Sequence, residues 1–220
     1  MEILLEILAR LPTRKDIYAF ASTTYEIQYF IEEVLKNPLF YPKWFESNGL
    51  EYTTSNPKLL FELLAAPSTK NLPVLIVNYS KKYGELVAVE LLEDLFNLGK
   101  IETKEGLLEV FKIFILSKEE KLAIATFNRL PNIPGSTIKY IPTSVGSTDL
   151  TDMMIKNDMI ELIKLMLVNQ DSKYYTVGIL AGAIGSKNRK VVESILEVLP
   201  LDKMVPQLRL QVEQFLASEN

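Results

Sequence analysis

Three pairs of adjacent carboxylates are the side chains of this sequence best suited to acid–base chemistry. They are Glu32 with Glu33, Glu93 with Asp94, and Glu119 with Glu120. Neighbouring residues on a helix point about 100° apart, so such a pair cannot by itself face one substrate. We therefore predict that these carboxylates lie on solvated helix faces.

The sequence contains no histidine and no cysteine, which removes most other routes to catalysis. Histidine is the commonest general base and transition-metal ligand, and cysteine supplies thiolates and disulfides. A serine nucleophile would need a lysine base, and no P-loop or GxGxxG pattern occurs to bind a phosphate. We predict a protein that is not an enzyme and has no cofactor or metal. The lack of cysteine also favours an intracellular, cytoplasmic location.

The charge balance argues against nucleic acid as a partner. The chain has 24 Lys and Arg against 28 Asp and Glu, a formal net charge of −4. The densest basic group, Lys187, Arg189 and Lys190, is typical of a solvated turn between helices.

No apolar run approaches the roughly 18 residues that a membrane span needs, and residues 1–12 lack the features of a signal peptide. We expect neither nucleic acid nor a membrane to be a partner.

Apolar residues recur at helical spacing along most of the chain, which predicts an all-α fold. Several helix boundaries can be assigned from capping signals. Thr13 with Asp16 and Ser117 with Glu120 resemble capping boxes, and Thr103 is placed to begin a helix. Gly99 is a natural helix stop. The last helix is predicted over 201–218, with a polar face suited to closing a helical stack.

One range departs from the helical pattern. Residues 130–148 hold three prolines and two glycines, and proline is excluded from helix interiors. We predict a loop here with a short extended piece around Ile138, Tyr140 and Ile141. A plain linker and a binding loop are both open interpretations, since long loops in compact domains are often functional.

Two stretches near the C-terminal end follow one template. In 180–196, LAGAIGSKNRKVVESIL, two apolar segments flank a polar turn, and 155–167, IKNDMIELIKLML, repeats the pattern at a period of about 29 residues. Both resemble degenerate ankyrin repeats, whose period is about 33 residues. The resemblance implies a right- or left-handed solenoid of antiparallel helix pairs that binds other proteins.

The ankyrin resemblance also suggests where a target would bind. In ankyrin proteins the loop before the first helix of a repeat projects toward the ligand, and here those loops are predicted at 142–148 and 171–176. Tyrosine offers a large, rigid contact area with one polar tip. We therefore expect Tyr140, Tyr174 and Tyr175 to anchor a target protein, with core packing as the alternative for Tyr174 or Tyr175.

The N-terminal region resembles the F-box, a trio of helices that docks on a Skp-type adaptor of a ubiquitin ligase. The residues that carry the resemblance are Ile7, Leu8, Leu11, Pro12, Asp16, Ile17, Phe20, Ile31, Asn37, Pro38, Phe40 and Trp44. The resemblance implies adaptor contacts by Leu11, Pro12, Asp16, Ile17, Phe40 and Trp44. A binding module keeps its apolar anchors available, so Leu11, Pro12, Ile17 and Phe40 should be exposed in the free protein. The alternative is that these helices only close one end of the stack.

The sequence thus predicts four regions. They are an F-box-like region at 1–50, an array of helix pairs at 51–130, a Pro/Gly-rich loop at 131–148, and ankyrin-like repeats with a capping helix at 149–220. The combined resemblance implies a protein that recruits a target to a ubiquitin ligase, in the host cytoplasm or virion of a large DNA virus. The alternative is a structural building block of a viral particle or other assembly.

Overall fold

The computed structural model describes residues 2–22, 25–64, 71–130, 140–143, 146–169 and 173–218. Within these ranges the fold is helical, as predicted, apart from one short β-hairpin. The chain divides into two compact units, Met1–Glu102 and Thr103–Asn220.

Seven helices are described in the first unit. They are α1 (Glu2–Ala9), α2 (Arg14–Ala21), α3 (Tyr25–Lys36), α4 (Phe40–Ser47), α5 (Pro57–Leu64), α6 (Leu72–Tyr83) and α7 (Glu85–Asn97). Helix α1 packs on α4, α2 on α3, α4 on α5, and both α5 and α6 pack on α7.

An aromatic cluster forms the centre of the first unit. Phe61 of α5 meets Phe40, Tyr41 and Trp44 of α4, with ring centroids 5.8, 5.5 and 4.9 Å away. All four residues are buried. Because aromatic rings in edge-to-face contact add to the gain from burial alone, this cluster helps to hold α4 against α5.

The second unit is built from consecutive helix pairs. The described helices are α8 (Lys104–Leu116), α9 (Glu120–Arg129), α10 (Leu150–Lys156), α11 (Ile160–Asn169), α12 (Lys173–Gly185), α13 (Arg189–Val198) and α14 (Pro206–Ser218), with a 3₁₀ turn at Leu201–Lys203 before α14. Each pair, α8/α9, α10/α11 and α12/α13, packs within itself. The first helices contact one another in the order α8, α10, α12, and the second helices in the order α9, α11, α13.

A β-hairpin leads directly into α10. Strand β1 (Tyr140–Thr143) pairs antiparallel with β2 (Gly146–Asp149), with Tyr140 opposite Asp149, and α10 begins at the next residue. The extended piece predicted at Tyr140 and Ile141 is therefore present. Residues 131–139, which include Ile138, lie outside the described part of the chain.

Most of the helix boundary signals are confirmed. Thr13 and Asp16 form the reciprocal capping box of α2, and the Thr103 hydroxyl accepts from the Gly106 amide at the start of α8. Gly99 has a φ of +66° and follows the end of α7. The capping box predicted for Ser117 is wrong, because Ser117 belongs to the closing turn of α8 and α9 begins only at Glu120.

The predicted core of the last helix pair is confirmed. Leu180 and Ala183 of α12 and Val192 and Ile195 of α13 are fully buried. Gly182 allows a close approach between first helices, since a Cβ there would lie 3.0 Å from the Ile155 Cδ1 atom of α10.

Candidate protein-interaction surfaces

The three helix pairs of the second unit close with the same turn. Lys118, Asp158 and Lys187 follow their first helices in left-handed backbone conformation, with φ of 63°, 53° and 56°. In each turn the next amide donates to the carbonyl five residues earlier, as Asn188 does to Ala183 at 2.9 Å. The equivalent bonds at the other two turns measure 2.9 and 3.0 Å. This is the Schellman closure, which satisfies carbonyls that a helix end leaves unpaired.

Asparagine side chains join each of these turns to the one before it. Asn157 Nδ2 donates to the Ile115 carbonyl at 2.9 Å, and Asn188 Nδ2 donates to the Ile155 carbonyl at 3.0 Å. Both carbonyls belong to the residue three positions before the left-handed residue of the preceding pair. We call these two bonds the turn ladder. Each carbonyl also accepts a backbone bond within its own turn, from Lys118 or Asp158, so the asparagine supplies a second donor and links each later pair to the pair before it.

Asn188 serves two pairs at once. Its Oδ1 atom accepts from the Val191 amide at 3.1 Å and so caps the start of α13. Its Nδ2 atom donates to the Ile155 carbonyl and to Asp158 Oδ1, the latter at 2.7 Å. From the sequence, Asn188 is predicted only to lie in a polar turn. The presence of an asparagine in each of the last two turns, Asn157 and Asn188, is the sequence signal that could have indicated contacts between the turns.

The second helices are also joined by polar contacts. Glu120 Oε1 of α9 accepts from the Leu162 amide at the start of α11 at 3.1 Å, which replaces the capping role expected of this residue. Lys164 of α11 pairs with Glu197 of α13 at 2.6 Å. The hydrogen bond from Lys164 to Glu197 raises the pKa of the Lys164 ammonium above its ordinary value.

The predicted target-binding tyrosines lie where two of the helix pairs begin. Tyr140 lies in β1, ahead of α10, and Tyr174 and Tyr175 lie in the first turn of α12. The loop expected over 171–176 is wrong from Lys173 onward, because α12 begins there. The side chains of all three tyrosines lie outside the described part of the structure.

Three of the six predicted adaptor-binding residues are buried, so the expected exposure is wrong for Ile17 and Phe40. Ile17 and Phe40 have no accessible surface, and Trp44 is 4% exposed. The indole Nε1 of Trp44 donates to the Leu11 carbonyl at 2.9 Å, which joins α4 to the end of α1. Helical periodicity predicts an apolar face, but it does not show whether that face is exposed or covered by neighbouring helices.

The other three predicted adaptor-binding residues are accessible. Pro12 is exposed, while Leu11 and Asp16 are half-buried. Other apolar side chains of the first unit are also exposed. The most exposed in α1 and α3 are Ile3 at 77% and Tyr29 at 62%, followed by Phe30 and Ile7.

Asp94 is the one member of the carboxylate pairs whose predicted solvation is wrong. It is fully buried in α7, where its Oδ1 atom accepts from the amide and hydroxyl of Thr53 at 2.7 and 2.9 Å. Its Oδ2 atom accepts from the Thr54 amide at 2.8 Å. Glu90, one helical turn earlier, accepts from the amide and hydroxyl of Ser55, both at 3.2 Å.

We call Asp94 and Glu90 the carboxylate clamp, because together they hold the segment before α5 against α7. Such a fully hydrogen-bonded carboxylate is an anchor and is poorly placed for proton transfer. Among the residues that the structure describes, no group of three or more acidic side chains could hold a metal ion. None of the described helices combines the length and apolar character that a membrane crossing requires.

Comparison with known proteins adds no family to this picture. The chain matches no family model, no curated protein and no solved structure.

Proposed function

We propose that the second unit is an ankyrin-like solenoid and that the chain acts without catalysis, by binding other proteins. The turn ladder carries this proposal. Three pairs close with one hydrogen-bonding pattern, and side chains of each later turn bond to the carbonyl at the same position of the preceding pair. First helices contact first helices and second contact second. Stacked repeats of this kind create extended binding surfaces.

The target surface in this proposal is the edge where helix pairs begin. The hairpin β1–β2 precedes α10 and the first turn of α12 carries Tyr174 and Tyr175. In ankyrin-like proteins, to which this region is similar, the segments ahead of the first helices project toward the ligand. Tyr140, Tyr174 and Tyr175 are the anchors we assign, since tyrosine is enriched among residues that dominate binding energy.

Retention of cellular proteins by the immobilised full chain tests this assignment. The triple variant Tyr140→Ser, Tyr174→Ser, Tyr175→Ser should weaken binding of a retained and then purified partner more than tenfold, or about 1.4 kcal/mol. A matched control removes three exposed tyrosines of the first unit, Tyr18, Tyr29 and Tyr83, and should leave that binding within about twofold.

Equal binding by the wild-type chain and the first triple variant, with unchanged helical circular dichroism, would move the target to another face. Light scattering of the purified chain addresses the alternative of a structural building block. Formation of large particles by the chain alone would favour that alternative over partner recruitment.

We also propose, as a second candidate, that the first unit docks on a Skp-type adaptor. Exposed apolar side chains in α1 and α3 favour this candidate, since Ile3, Ile7 and Phe30 are each more than 40% accessible. Exposed apolar side chains of this kind can mark a protein-docking surface. Leu11, Pro12 and Asp16 remain in the proposed contact set. Ile17, Phe40 and Trp44 are buried, so they would support adaptor binding only by holding the helices in place.

Substitution at the exposed positions separates adaptor binding from folding. The double variant Ile3→Glu, Ile7→Glu should abolish capture by a purified Skp-type adaptor and keep the thermal unfolding midpoint. Ile17→Asp cannot make this distinction, because a carboxylate at a fully buried site unfolds the unit. Absence of any adaptor capture by the wild-type chain would remove the second candidate and leave the first untouched.

A further inference from the structure

An apolar cavity of about 250 Å³ lies within the first unit. Its lining includes the aromatic rings of Trp44 and Phe61 and three leucines, Leu50, Leu64 and Leu98. The two rings are buried, and the leucines are half-buried. The cavity thus has an apolar interior that is accessible from solvent.

The aromatic part of this cavity is held in place before any ligand arrives. The Trp44 indole is fixed by its hydrogen bond to the Leu11 carbonyl at 2.9 Å. Phe61 stands edge-to-face to Trp44, with 4.9 Å between ring centroids and an interplanar angle of 84°. A preformed apolar site costs less ordering on binding than one that must assemble.

Two exposed lysines, Lys15 and Lys100, line the same cavity. Within the part of the chain that the structure describes, neither lysine forms an ion pair. The chain as a whole carries a formal net charge of −4, so this local positive charge runs against the overall balance. Two ammonium groups beside an apolar site complement a ligand that is apolar at its centre and anionic at its edge.

We propose that this cavity binds one large apolar side chain of an acidic peptide segment in a partner protein, with carboxylates beside that side chain paired to Lys15 and Lys100. The cavity is smaller than the sites of about 300–1,000 Å³ that take drug-sized molecules. A single side chain filling a desolvated pocket is the usual form of a binding hot spot. The site lies in the first unit and is independent of the target surface proposed for the second.

The only tryptophan of the sequence gives a direct readout, because Trp44 lines the cavity. The probe is a blocked pentapeptide with one phenylalanine between two pairs of glutamates. Its addition to the full chain should shift Trp44 emission in a saturable manner, and added salt should weaken the affinity. The same peptide with alanine in place of phenylalanine, or lysine in place of glutamate, should give no saturable shift.

A charge-matched pair of variants separates the lysine contribution from net charge. Lys15→Glu with Lys100→Glu should weaken peptide binding at least tenfold. Lys43→Glu with Lys58→Glu makes the same change in charge at exposed positions of the unit that do not line the cavity, and should alter affinity less than twofold. Circular dichroism verifies that both variants fold.

Three outcomes would overturn the proposal. They are no shift of Trp44 emission at about 1 mM peptide, equal affinity for the glutamate and lysine peptides, and equal weakening by the two double variants. Octanoate serves as a further probe. Saturable binding of octanoate without binding of the phenylalanine peptide would assign the cavity to a small amphipathic carboxylate and exclude the peptide.

Discussion

The two units of this chain solve the same packing problem in different ways. The first joins its helices through contacts that occur once, namely the aromatic cluster and the carboxylate clamp, whose partners Thr53 and Asp94 are 41 residues apart. The second repeats one turn and one asparagine-to-carbonyl bond along neighbouring helix pairs. Repeated contacts between neighbours distribute stability along the chain, whereas a single cluster concentrates it. Substitutions should therefore have their largest effect in the first unit.

The strongest test of this contrast is removal of the ring at the centre of the aromatic cluster. Phe61→Ala should lower the free energy of unfolding by about 3–5 kcal/mol, since Phe61 is buried against three other aromatic rings. Denaturant titration followed by Trp44 emission reports the unfolding of this unit. Leu39→Ala, at a side chain that is largely exposed, is the control and should stay within about 0.5 kcal/mol. A cost below that of Ile195→Ala would contradict the contrast.

Core truncation in the second unit should have a smaller effect. Ile195→Ala should destabilise by about 2–4 kcal/mol, because the side chain is fully buried in α13. Lys187→Ala, in the adjacent turn, should cost less than about 0.5 kcal/mol, since both side chains adopt the left-handed conformation at similar cost. Helical circular dichroism during denaturant unfolding measures both. Equal effects would place Ile195 outside the core.

The carboxylate clamp is the next contact to test. Asp94→Ala should lower stability by about 2–3 kcal/mol, because it leaves the amides of Thr53 and Thr54 without their acceptor. Glu90→Ala removes longer bonds, from exposed Ser55 and from the hydroxyl of buried Thr54, and should cost about 1 kcal/mol. Trp44 emission again follows the unfolding. If Glu90→Ala proves the more costly, the clamp depends on Ser55 and not on the buried carboxylate.

Local signals made some of the fold predictable. Thr13 and Asp16 sit three residues apart at a helix start, and glycine at position 99 allows a left-handed stop, so both boundaries could be read from the chain. The burial of Ile195 followed from its spacing within one amphipathic helix. Each of these features depends on residues within a few positions of one another.

Contacts between distant segments could not be predicted in the same way. The burial of Asp94 depends on hydrogen bonds from Thr53 and Thr54. The residues next to Asp94 in the sequence give no sign of these distant donors. Likewise α1 carries apolar residues on several faces, and its sequence alone does not show that Leu8 is buried while Ile3 is exposed once α1 packs on α4. Candidate binding residues inferred from a short motif share this weakness, as Ile17 shows.

The smallest difference between the units lies in the left-handed residues that end their helices. The first unit has glycine at these positions, and the second has residues with a side chain. Gly49 and Gly99 have φ of +64° and +66°, whereas Lys118, Asp158 and Lys187 adopt this conformation with a side chain. The left-handed conformation costs a residue with a side chain roughly 1–2 kcal/mol. Replacing that residue with glycine recovers only part of this cost, because glycine also makes the unfolded chain more flexible.

Lys187→Gly should therefore stabilise the second unit by about 0.5–1 kcal/mol. Asp158→Gly should gain less, because it also removes the acceptor of the 2.7 Å bond from Asn188. The reverse change in the first unit, Gly49→Ala, should cost about 1 kcal/mol through the backbone alone, since an added Cβ meets no atom within 4 Å. Denaturant unfolding measures all three variants. Destabilisation by Lys187→Gly would mean that the lysine side chain contributes a contact that outweighs its backbone strain, and the two units would then close their helices by different physical means.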